Sequence, residues 1–232
     1  MNFNDEIFAT FDLFGLNIWI TQTHVSTWVI MAILILFALW ARRALNSFNE
    51  SEAPTGKQNF IELLVETFAN FADGSLGTAR KYGGWFFGIF VFVLASNLSG
   101  LLGLRPPTAY LSTTLVVSVT TFAIVQYTAF STDAKGYVKG LFEPFAPFVV
   151  LNVIGEFAIV ASLALRLFGS ILAGMIIVSI VMYLLPWWLG IGPIPFVLHA
   201  YFDVFAGSIQ AFIITLLSML FISQKAAQPT EE

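Results

Sequence analysis

Long apolar runs separated by short polar segments make up most of the sequence. Apolar runs at residues 25–41, 84–104 and 111–130 each predict a membrane-crossing helix, because a helix needs about 20 apolar residues to cross the hydrocarbon core of a bilayer. An unbroken run is typical of such a helix, whereas a strand of a membrane β-barrel alternates apolar and polar residues. The first half of the chain therefore predicts three spans, and a short loop with Asp133, Lys135 and Lys139 is expected after the third.

Two longer apolar runs follow, at residues 145–188 and 196–223. The first would extend about 66 Å as a single helix, roughly twice the thickness of the hydrocarbon core. Its first firm break comes at Pro186 and the glycine- and proline-rich stretch 190–195. We therefore expect an antiparallel pair of long, strongly tilted helices, with two separate spans in 145–188 as the alternative.

Residues 59–71 show a different pattern, in which apolar and polar side chains lie on separate sides of one helix. The apolar side carries Phe60, Leu63, Leu64, Phe68 and Phe71, and the rest of the surface carries Glu62, Glu66 and Asn70. This predicts an amphipathic helix that lies at the membrane surface or on a partner protein.

The predicted fold class is an all-α polytopic membrane protein with about five crossing helices in one membrane domain, 1–232. An external segment occupies 1–24, the first three spans and the amphipathic helix lie within 25–139, the long helix pair occupies 145–225, and 226–232 form a cytoplasmic tail.

Composition strengthens the membrane prediction. The chain is 58% hydrophobic and only 10% charged, against about 25% charged residues in soluble domains. It has no cysteine, which excludes disulfides and cysteine-ligated metals. The sequence shows no phosphate-binding loop, nucleophile–base arrangement or metal-ligand cluster. We therefore expect a lipid bilayer as surroundings, and no catalytic site, cofactor, metal or nucleic-acid partner.

Basic residues indicate the orientation of the chain. With five crossings, eight of the ten Lys and Arg fall on one side of the membrane: Arg42, Arg43, Lys57, Arg80, Lys81, Lys135, Lys139 and Lys225. The positive-inside rule puts that side in the cytoplasm, so the N-terminus is expected outside and the C-terminus inside. Two spans in 145–188 would move Lys225 outside, so the distribution favours one long tilted helix.

Arg166 is the only charged residue between Glu156 and Asp203. A charge at membrane depth costs about 3 kcal/mol on insertion scales, so such a residue normally faces a protein interior or a hydrated cavity and has a partner. Small residues that would let another helix approach closely share its helical face: Ser162, Gly169, Ser170, Ala173 and Gly174. The alternative is a structural arginine that pairs within the bundle or snorkels.

Polar residues also lie along the second long run. His199, Asp203, Gly207 and Gln210 are spaced four, four and three residues apart, which places them on one face of an α-helix. This predicts a hydrated path or a polar contact with the first long helix. The alternative is a hydrogen-bonded structural network.

The antiparallel arrangement places these groups at different depths. The first helix begins inside, so Asn152 and Glu156 are expected on its cytoplasmic half and Ser170 on its outer half. The second helix begins outside, so its histidine and aspartate are expected on the outer half, with Gln210 near the level of Arg166. Polar groups are therefore expected on both sides of the arginine, displaced from one another.

At these residues the chain resembles subunit a of F-type ATP synthases. Two stretches look like the paired signatures of that family: Ser162-Leu-Ala-Leu-Arg-Leu-Phe-Gly-Ser170 with Ala173-Gly174, and Gly207-Ser-Ile-Gln-Ala-Phe212. Two more match in place and order: Pro54-Thr-Gly-Lys-Gln-Asn59 with Glu62, and Asn97-Leu-Ser-Gly-Leu-Leu-Gly-Leu-Arg-Pro106. The resemblance covers nearly the whole chain.

The resemblance implies an ion-translocating stator subunit, without enzymatic activity by itself, beside a rotating ring of c subunits. It further implies a peripheral stalk of b subunits, a bacterial plasma membrane, and H⁺ as the translocated ion, with Na⁺ as an alternative. Arg166 would be the essential arginine facing the ring carboxylates, with Gln210 as its neighbour. Asn97, Asp203 and Glu156 match half-channel positions.

Two positions depart from the family pattern. Ser170 stands where the family usually has Asn, and Met175 stands where many members have an acid or a histidine. The outer half-channel would then depend on Asp203 and His199 instead of a pair shared between the two long helices.

Two other functions could explain an intramembrane arginine. A secondary transporter could bind an anionic substrate at Arg166, but it would predict an internal repeat and Gly- or Pro-broken helices in both halves, and the sequence shows neither. A scaffold without transport gives no reason for the cost of placing Arg166, Asp203 and Glu156 in a membrane.

Overall fold

The computed structural model describes residues 7–13, 16–46, 56–76, 81–102, 104–143, 145, 147–186 and 193–226. Two strands come first, β1 (Ile7–Leu13) and β2 (Leu16–Thr21). The helices are α1 (Gln22–Asn46), α2 (Gly56–Leu76), α3 (Gly83–Leu98), α4 (Leu111–Leu141), α5 (Phe148–Leu184), α6 (Pro193–His199) and α7 (Gly207–Ala226). Two 3₁₀ turns, Ser99–Leu102 and Pro107–Ala109, lie between α3 and α4, and a π-helical segment, Ala200–Ala206, joins α6 to α7.

Five helical stretches of the described chain are long and apolar enough to cross a membrane. They are Gln22–Leu45, Gly83–Leu102, Leu111–Leu141, Phe148–Leu184 and Ile194–Ala226. The prediction of an all-α polytopic membrane protein is thereby confirmed. Helix α1 exposes most of its large apolar side chains, among them Trp28, Leu36 and Leu39, as a helix that faces lipid does.

Helix α5, which we call the first arm, is one continuous helix of 37 residues. The alternative of two spans in 145–188 is therefore wrong. At about 1.5 Å per residue the helix is about 55 Å long, which fits a core of about 30 Å only when the helix is strongly tilted. It ends before Pro186 because the residue that precedes a proline avoids helical geometry, and Leu185 has extended backbone angles.

The second arm, formed by α6, the π-helical segment and α7, runs antiparallel to the first, as predicted. Gly174, late in α5, packs on Phe202, early in the second arm: a Cβ on Gly174 would lie 3.2 Å from Cδ1 of Phe202. At the opposite end, Glu156 pairs with Lys225, close to the end of α7. The two contacts fix the relative direction of the arms.

Helix α7 lies at the centre of the bundle. One buried cluster joins it to α2, α3 and α4 and consists of Ala72, Leu76, Phe86, Val125, Met219 and Ile222. A second cluster joins it to α3 and α5 and consists of Val93, Leu167, Ala211 and Ile214. Burial of these side chains fixes the second arm among its neighbours through close van der Waals packing, which holds helices together in a membrane because lipid is as apolar as the side chains.

Helix α2 extends beyond the predicted amphipathic segment at both ends. Of the predicted apolar side, Phe68 and Phe71 pack against the core cluster, whereas Phe60 and Leu63 remain exposed. The apolar surface of this helix is thus divided between the bundle and its surroundings.

An antiparallel β-hairpin occupies most of the predicted N-terminal segment, for which the sequence indicated no regular element. Its register pairs Ile7 with Thr21 and Leu13 with Leu16. The hairpin is an addition to the all-α membrane domain, and α1 follows it directly at Gln22.

Helix α4 continues through the segment that we predicted as a loop after residue 130. Asp133 has an extended backbone (φ −153°, ψ 90°), and its Oδ1 accepts a hydrogen bond from the Gly136 N–H at 3.0 Å. A carboxylate in this position caps a new helical turn, so the chain bends at Asp133 and resumes as a helix. The loop prediction is wrong for this reason.

Candidate functional site

Arg166 lies on the free side of the first arm. Its neighbours Leu163 and Leu167 are buried, whereas the predicted small-residue face is exposed at Ser162, Gly169, Ser170 and Ala173. A Cβ added to Gly169 would meet nothing within 4 Å. Among the described residues, the guanidinium makes neither a hydrogen bond nor an ion pair. A charged side chain therefore stands on an open, largely apolar face.

Gln210 lies at a similar level of the bundle but on the inner side of α7. Leu167 and Ala211, which adjoin Arg166 and Gln210, belong to the same buried cluster. Gln210 is 8% exposed, and its Nε2 has no hydrogen-bond partner within the described part of the chain. The amide can therefore still donate a hydrogen bond near the level of the arginine. A partner would offset the cost of about 1–3 kcal/mol of leaving a buried donor unpaired.

His199 and Asp203 lie together at the α6 end of the second arm. Their Nδ1 and Oδ2 atoms are 2.8 Å apart, and their side chains are 40% and 19% exposed. The same oxygen of Asp203 faces Gly100 in the 3₁₀ turn after α3: a Cβ at Gly100 would lie 2.7 Å from it. The carboxylate is therefore held between an imidazole and a backbone that approaches closely only because residue 100 is glycine.

The π-helical segment sets the direction of Asp203. It ends where the Gly207 N–H donates to the carbonyl oxygens of Phe202 and Val204. We predicted one common face for His199, Asp203, Gly207 and Gln210 from α-helical spacing. A π turn is wider than an α turn, so that spacing does not apply across this segment. Gly207 and Gln210 are buried, whereas Asp203 is partly exposed. Single π turns inside helices are frequent at functional sites.

Asn97 connects α3 to the second arm. Its Nδ2 donates to the carbonyl oxygen of Gly207 at 2.8 Å, and its Oδ1 accepts from the Thr108 hydroxyl at 2.8 Å. Asn97 and Thr108 are both almost completely buried. The side chain therefore joins three segments of the bundle and does not face an open channel in this structure.

Glu156 belongs to a hydrogen-bonded network of three helices. Its Oε1 pairs with the Lys225 ammonium, and its Oε2 accepts from Gln126 Nε2 at 2.9 Å. The Tyr137 hydroxyl donates to Gln126 Oε1 at 2.7 Å, and the ammonium lies 4.7 Å from the Tyr137 ring centroid. The four side chains close a ring.

Asn152 lies in the second turn of α5, next to the turn that joins α4 to α5. Its Nδ2 donates to the carbonyl oxygens of Leu141, at 2.8 Å, and Glu143, at 3.2 Å. Leu141 is the last residue of α4 and Glu143 follows two residues later, so neither carbonyl has a partner within that helix. The contacts explain the residue as a support of the turn.

The two positions that depart from the family pattern lie beyond Arg166 on α5. The exposed Ser170 donates its hydroxyl to the carbonyl oxygen of Leu167 at 3.0 Å, so its polar group points back along the helix. Met175 is half-buried beside Gly174, the residue that packs on the second arm.

Sequence reasoning missed the residues that complete these contacts. Lys225 served only as an orientation marker, and Gln126, Tyr137, Thr108 and Gly100 were not singled out. Glu156 and Lys225 are 69 residues apart in sequence, and Asn97 and Gly207 are 110 apart. The only available signal was that each is a polar or small residue within an apolar run.

Comparison with known proteins identifies the family of this chain. The family model described as ATP synthase A chain matches residues 24–223. The ATP synthase subunit a of Moorella thermoacetica is 36% identical over 88% of this chain and 90% of its own length. Subunit a of Staphylococcus epidermidis is 33% identical, covering 94% and 96%. The sodium-ion-specific subunit a of Propionigenium modestum is 31% identical, covering 88% and 73%. With a family match over most of its length and relatives above 30% identity, this chain belongs to the ATP synthase subunit a family.

Proposed function

We propose that this chain is the ion-translocating stator subunit of a rotary F-type ATP synthase and is not catalytic by itself. A ring of c subunits would face the open side of the first arm, and b subunits would form the peripheral stalk. The proposed location is a bacterial plasma membrane, with the N-terminus outside and the C-terminus in the cytoplasm.

The observation that supports this most is the exposed Arg166, which has no partner among the described residues and lies on a largely apolar helix. A charge in a membrane needs a partner, and the described part of this chain offers none at salt-bridge distance. A carboxylate carried past this face on another subunit would provide one. The open surface at Gly169 leaves room for a second helix close to the arginine.

Two polar regions lie on either side of Arg166 along the arms. Glu156 is ten residues before it, about 15 Å along the helix. Gly174, which contacts the second arm next to Asp203, is eight residues after it, about 12 Å in the other direction. We propose that the first region opens to the cytoplasm and the second to the outside, which gives two half-channels that do not meet.

The mechanism follows from electrostatics. A ring carboxylate that holds an ion is neutral and can face lipid, whereas an ionised carboxylate cannot unless it meets a positive charge. Arg166 supplies that charge and keeps it, because arginine does not lose its proton at working pH. Ions would therefore cross only on the rotating ring, driven by about 2.3 kcal/mol per charge for each 100 mV of membrane potential.

The proposed ion is H⁺, with Na⁺ as an alternative because one relative is named as sodium-ion specific. In this mechanism the site that binds the ion is on the ring. The His199–Asp203 pair would pass the ion between the outside and that site, and Gln210 would lie beside the arginine as the ring carboxylate arrives.

The test is ATP-driven ion pumping by the whole complex in membrane vesicles. Arg166→Ala should assemble but lose pumping, and Arg166→Lys should also fail, because lysine can lose its charge when desolvated and lacks the planar fork. Arg43→Ala removes an exposed arginine at the end of α1 and should pump normally. Near-normal pumping by Arg166→Ala would contradict the proposal.

A further inference from the structure

An apolar cleft between α1, α2 and α3 has no place in the mechanism above. Its volume is about 370 Å³, within the range of about 300–1,000 Å³ that is usual for sites that bind small molecules. Within the described part of the chain, no residue of either arm lines it. Its large apolar lining residues are Phe37, Leu45, Ile61, Leu64, Val65 and Phe87.

A polar contact fixes α2 against α1 at one end of this cleft. Nε2 of Gln58, in the first turn of α2, donates to the carbonyl oxygen of Ala44, near the end of α1, at 3.1 Å. One turn further along α2, Ile61 is buried. The two helices are therefore held in a fixed relation, and the cleft lies beside their contact.

Arg42 is the one charged side chain among the described residues that line the cleft. It is exposed, and its guanidinium makes neither a hydrogen bond nor an ion pair with another described residue. Its apolar span ends at Leu45, so Arg42 lies at the level where lipid headgroups begin. The exposed Lys57, next to Gln58, adds a second positive charge at this end.

The walls of the cleft continue into the surface of α1 that faces lipid. Phe37 and Leu45 line the cleft and are exposed, as are Leu36 and Leu39 on the same helix. On the other wall, Val65 of α2 is also exposed. A lipid can therefore enter the cleft directly from the bilayer.

A second, mostly apolar cleft of about 210 Å³ lies between α2 and α3 and shares Val65 and Phe87 with the first. Its one charged lining residue among those described is Asp73, eight residues after Val65 and thus about 12 Å further along the helix. Two adjoining apolar spaces with a positive charge at one end fit a molecule with two apolar chains and one anionic headgroup.

We propose that α1, α2 and α3 form a binding site for an anionic phospholipid. Its phosphate would bind Arg42, whose planar guanidinium matches the geometry of a phosphate, and its acyl chains would occupy the two clefts. Basic pockets between membrane helices bind anionic headgroups in this way. The bound lipid would fill the space between α1 and α2, and this role is separate from ion translocation.

The test is photo-crosslinking of lipid to the whole complex in vesicles. The vesicles contain phosphatidylcholine and a minor fraction of phosphatidylglycerol that carries a diazirine on one acyl chain, and the labelled residues are mapped by mass spectrometry. We expect labelling in 37–45 and 61–65. Unlabelled phosphatidylglycerol should compete, whereas added phosphatidylcholine or inorganic phosphate should not.

Neighbouring arginines provide a matched pair of variants. Arg42→Gln should lower labelling by phosphatidylglycerol about fivefold, which corresponds to about 1 kcal/mol for one basic residue beside an anionic lipid. Labelling by a phosphatidylcholine probe should not change. Arg43→Gln removes an arginine that is equally exposed but does not line the cleft, and it should label as the native complex does.

A second pair of variants tests the apolar part of the site. Ala38 lines the cleft, so Ala38→Trp fills it while Arg42 is kept, and labelling by both probes should fall. Ala32 is exposed on α1 outside the lining, and Ala32→Trp should label normally.

Three results would overturn the proposal. Equal labelling of the Arg42→Gln and Arg43→Gln complexes would show only a general attraction of anionic lipid to a basic surface. Equal labelling of the native complex by both probes would show no preference for an anionic headgroup. Absence of labelling by both would show that another subunit covers the cleft.

The competition experiments on the native complex decide the question even if a variant does not assemble. The outcome is also independent of the proposed function, because Arg166→Ala should lose pumping and still label as the native complex does.

Discussion

A methyl group added at Gly100 tests the proposed outer path without changing any polar residue. In Gly100→Ala, the new Cβ would lie 2.7 Å from Oδ2 of Asp203 and 2.9 Å from its Cγ. The atom it meets is the oxygen that lies 2.8 Å from His199 Nδ1. The substitution therefore acts directly on the His199–Asp203 contact.

The structure sets the size of the effect. To reach an ordinary contact of 3.4 Å, Oδ2 must move by at least about 0.7 Å (3.4 − 2.7). The obstacle is the end of a side chain, so a χ change of about 0.5–1.5 kcal/mol can absorb it and the subunit should fold. The hydrogen bond to His199 would lengthen beyond a useful distance. A hydrogen bond to a charged group contributes about 1.5–3 kcal/mol, and about 1.4 kcal/mol is tenfold in rate.

We therefore expect Gly100→Ala to lower potential-driven ATP synthesis about tenfold while passive ion leak stays low, because Arg166 is unchanged. The matched control is Gly88→Ala in α3, where an added Cβ meets nothing within 4 Å. Synthesis and leak should be measured on both variants in the same vesicles, with the amount of assembled complex determined in parallel.

Asp203→Asn should slow ion uptake through the same group, so Gly100→Ala/Asp203→Asn should be little slower than Asp203→Asn alone. Residues that act through one contact show such non-additive effects. Equal synthesis in the Gly100 and Gly88 variants, or a raised leak in the former, would refute the assignment of Asp203 to the outer path.

Two further substitutions test the packing and the orientation. Gly207→Ala would place a Cβ 2.9 Å from Asn97 Cβ. A Cβ atom cannot rotate away, so the complex should lose about 1–3 kcal/mol of stability. The control is Gly140→Ala, where an added Cβ meets nothing within 4 Å, and an equal Tm for the two variants would contradict this prediction. The native chain has no cysteine, so Lys57→Cys and Gln224→Cys can report topology. Both positions are exposed and should react with an impermeant maleimide only from the cytoplasmic side, and labelling from opposite sides would refute five crossings.

The helices and their order could be predicted from the sequence because the membrane makes a simple demand. Every backbone group within lipid must be paired internally, so a long apolar run has to be a helix. For 145–188, the absence of any turn signal until Pro186 was enough to favour one helix, and α5 has that form. The position of Lys225 added the orientation argument, and that orientation stays a prediction, since the contacts show only that the arms are antiparallel.

Local exceptions could not be predicted because they depend on one side chain or on contacts elsewhere. From the sequence, Asp133 could either end one helix or cap the next. The hydrogen bond from the Gly136 N–H to its carboxylate shows that it caps the next helical turn. The π-helical segment Ala200–Ala206 has no residue that marks it. Its formation shifts the direction of every residue behind it, which is why helical spacing alone misplaces Gln210 relative to Asp203.

Within the site, residue types were easier to predict than their partners. A charge in an apolar run signals a polar contact at some position, and this singled out Arg166 and Glu156, whereas the family resemblance supplied Asn97. The partners of the last two come from helices far away in sequence, Lys225 and the Gly207 carbonyl. Such pairings follow from how the helices pack, and no local pattern contains that information.

The two arms are held together by different chemistry at their two ends, and this bears on how a stator can work. At one end Gly174 packs closely on Phe202, a contact that depends on shape. At the other end a partly buried ion pair joins Glu156 to Lys225. Between them, Leu167 anchors the inner side of the first arm in the core cluster, while Arg166 stays on the open side. A force applied to Arg166 by a moving carboxylate would therefore be resisted at both ends and from behind, so the arginine would hold its place while the partner moves.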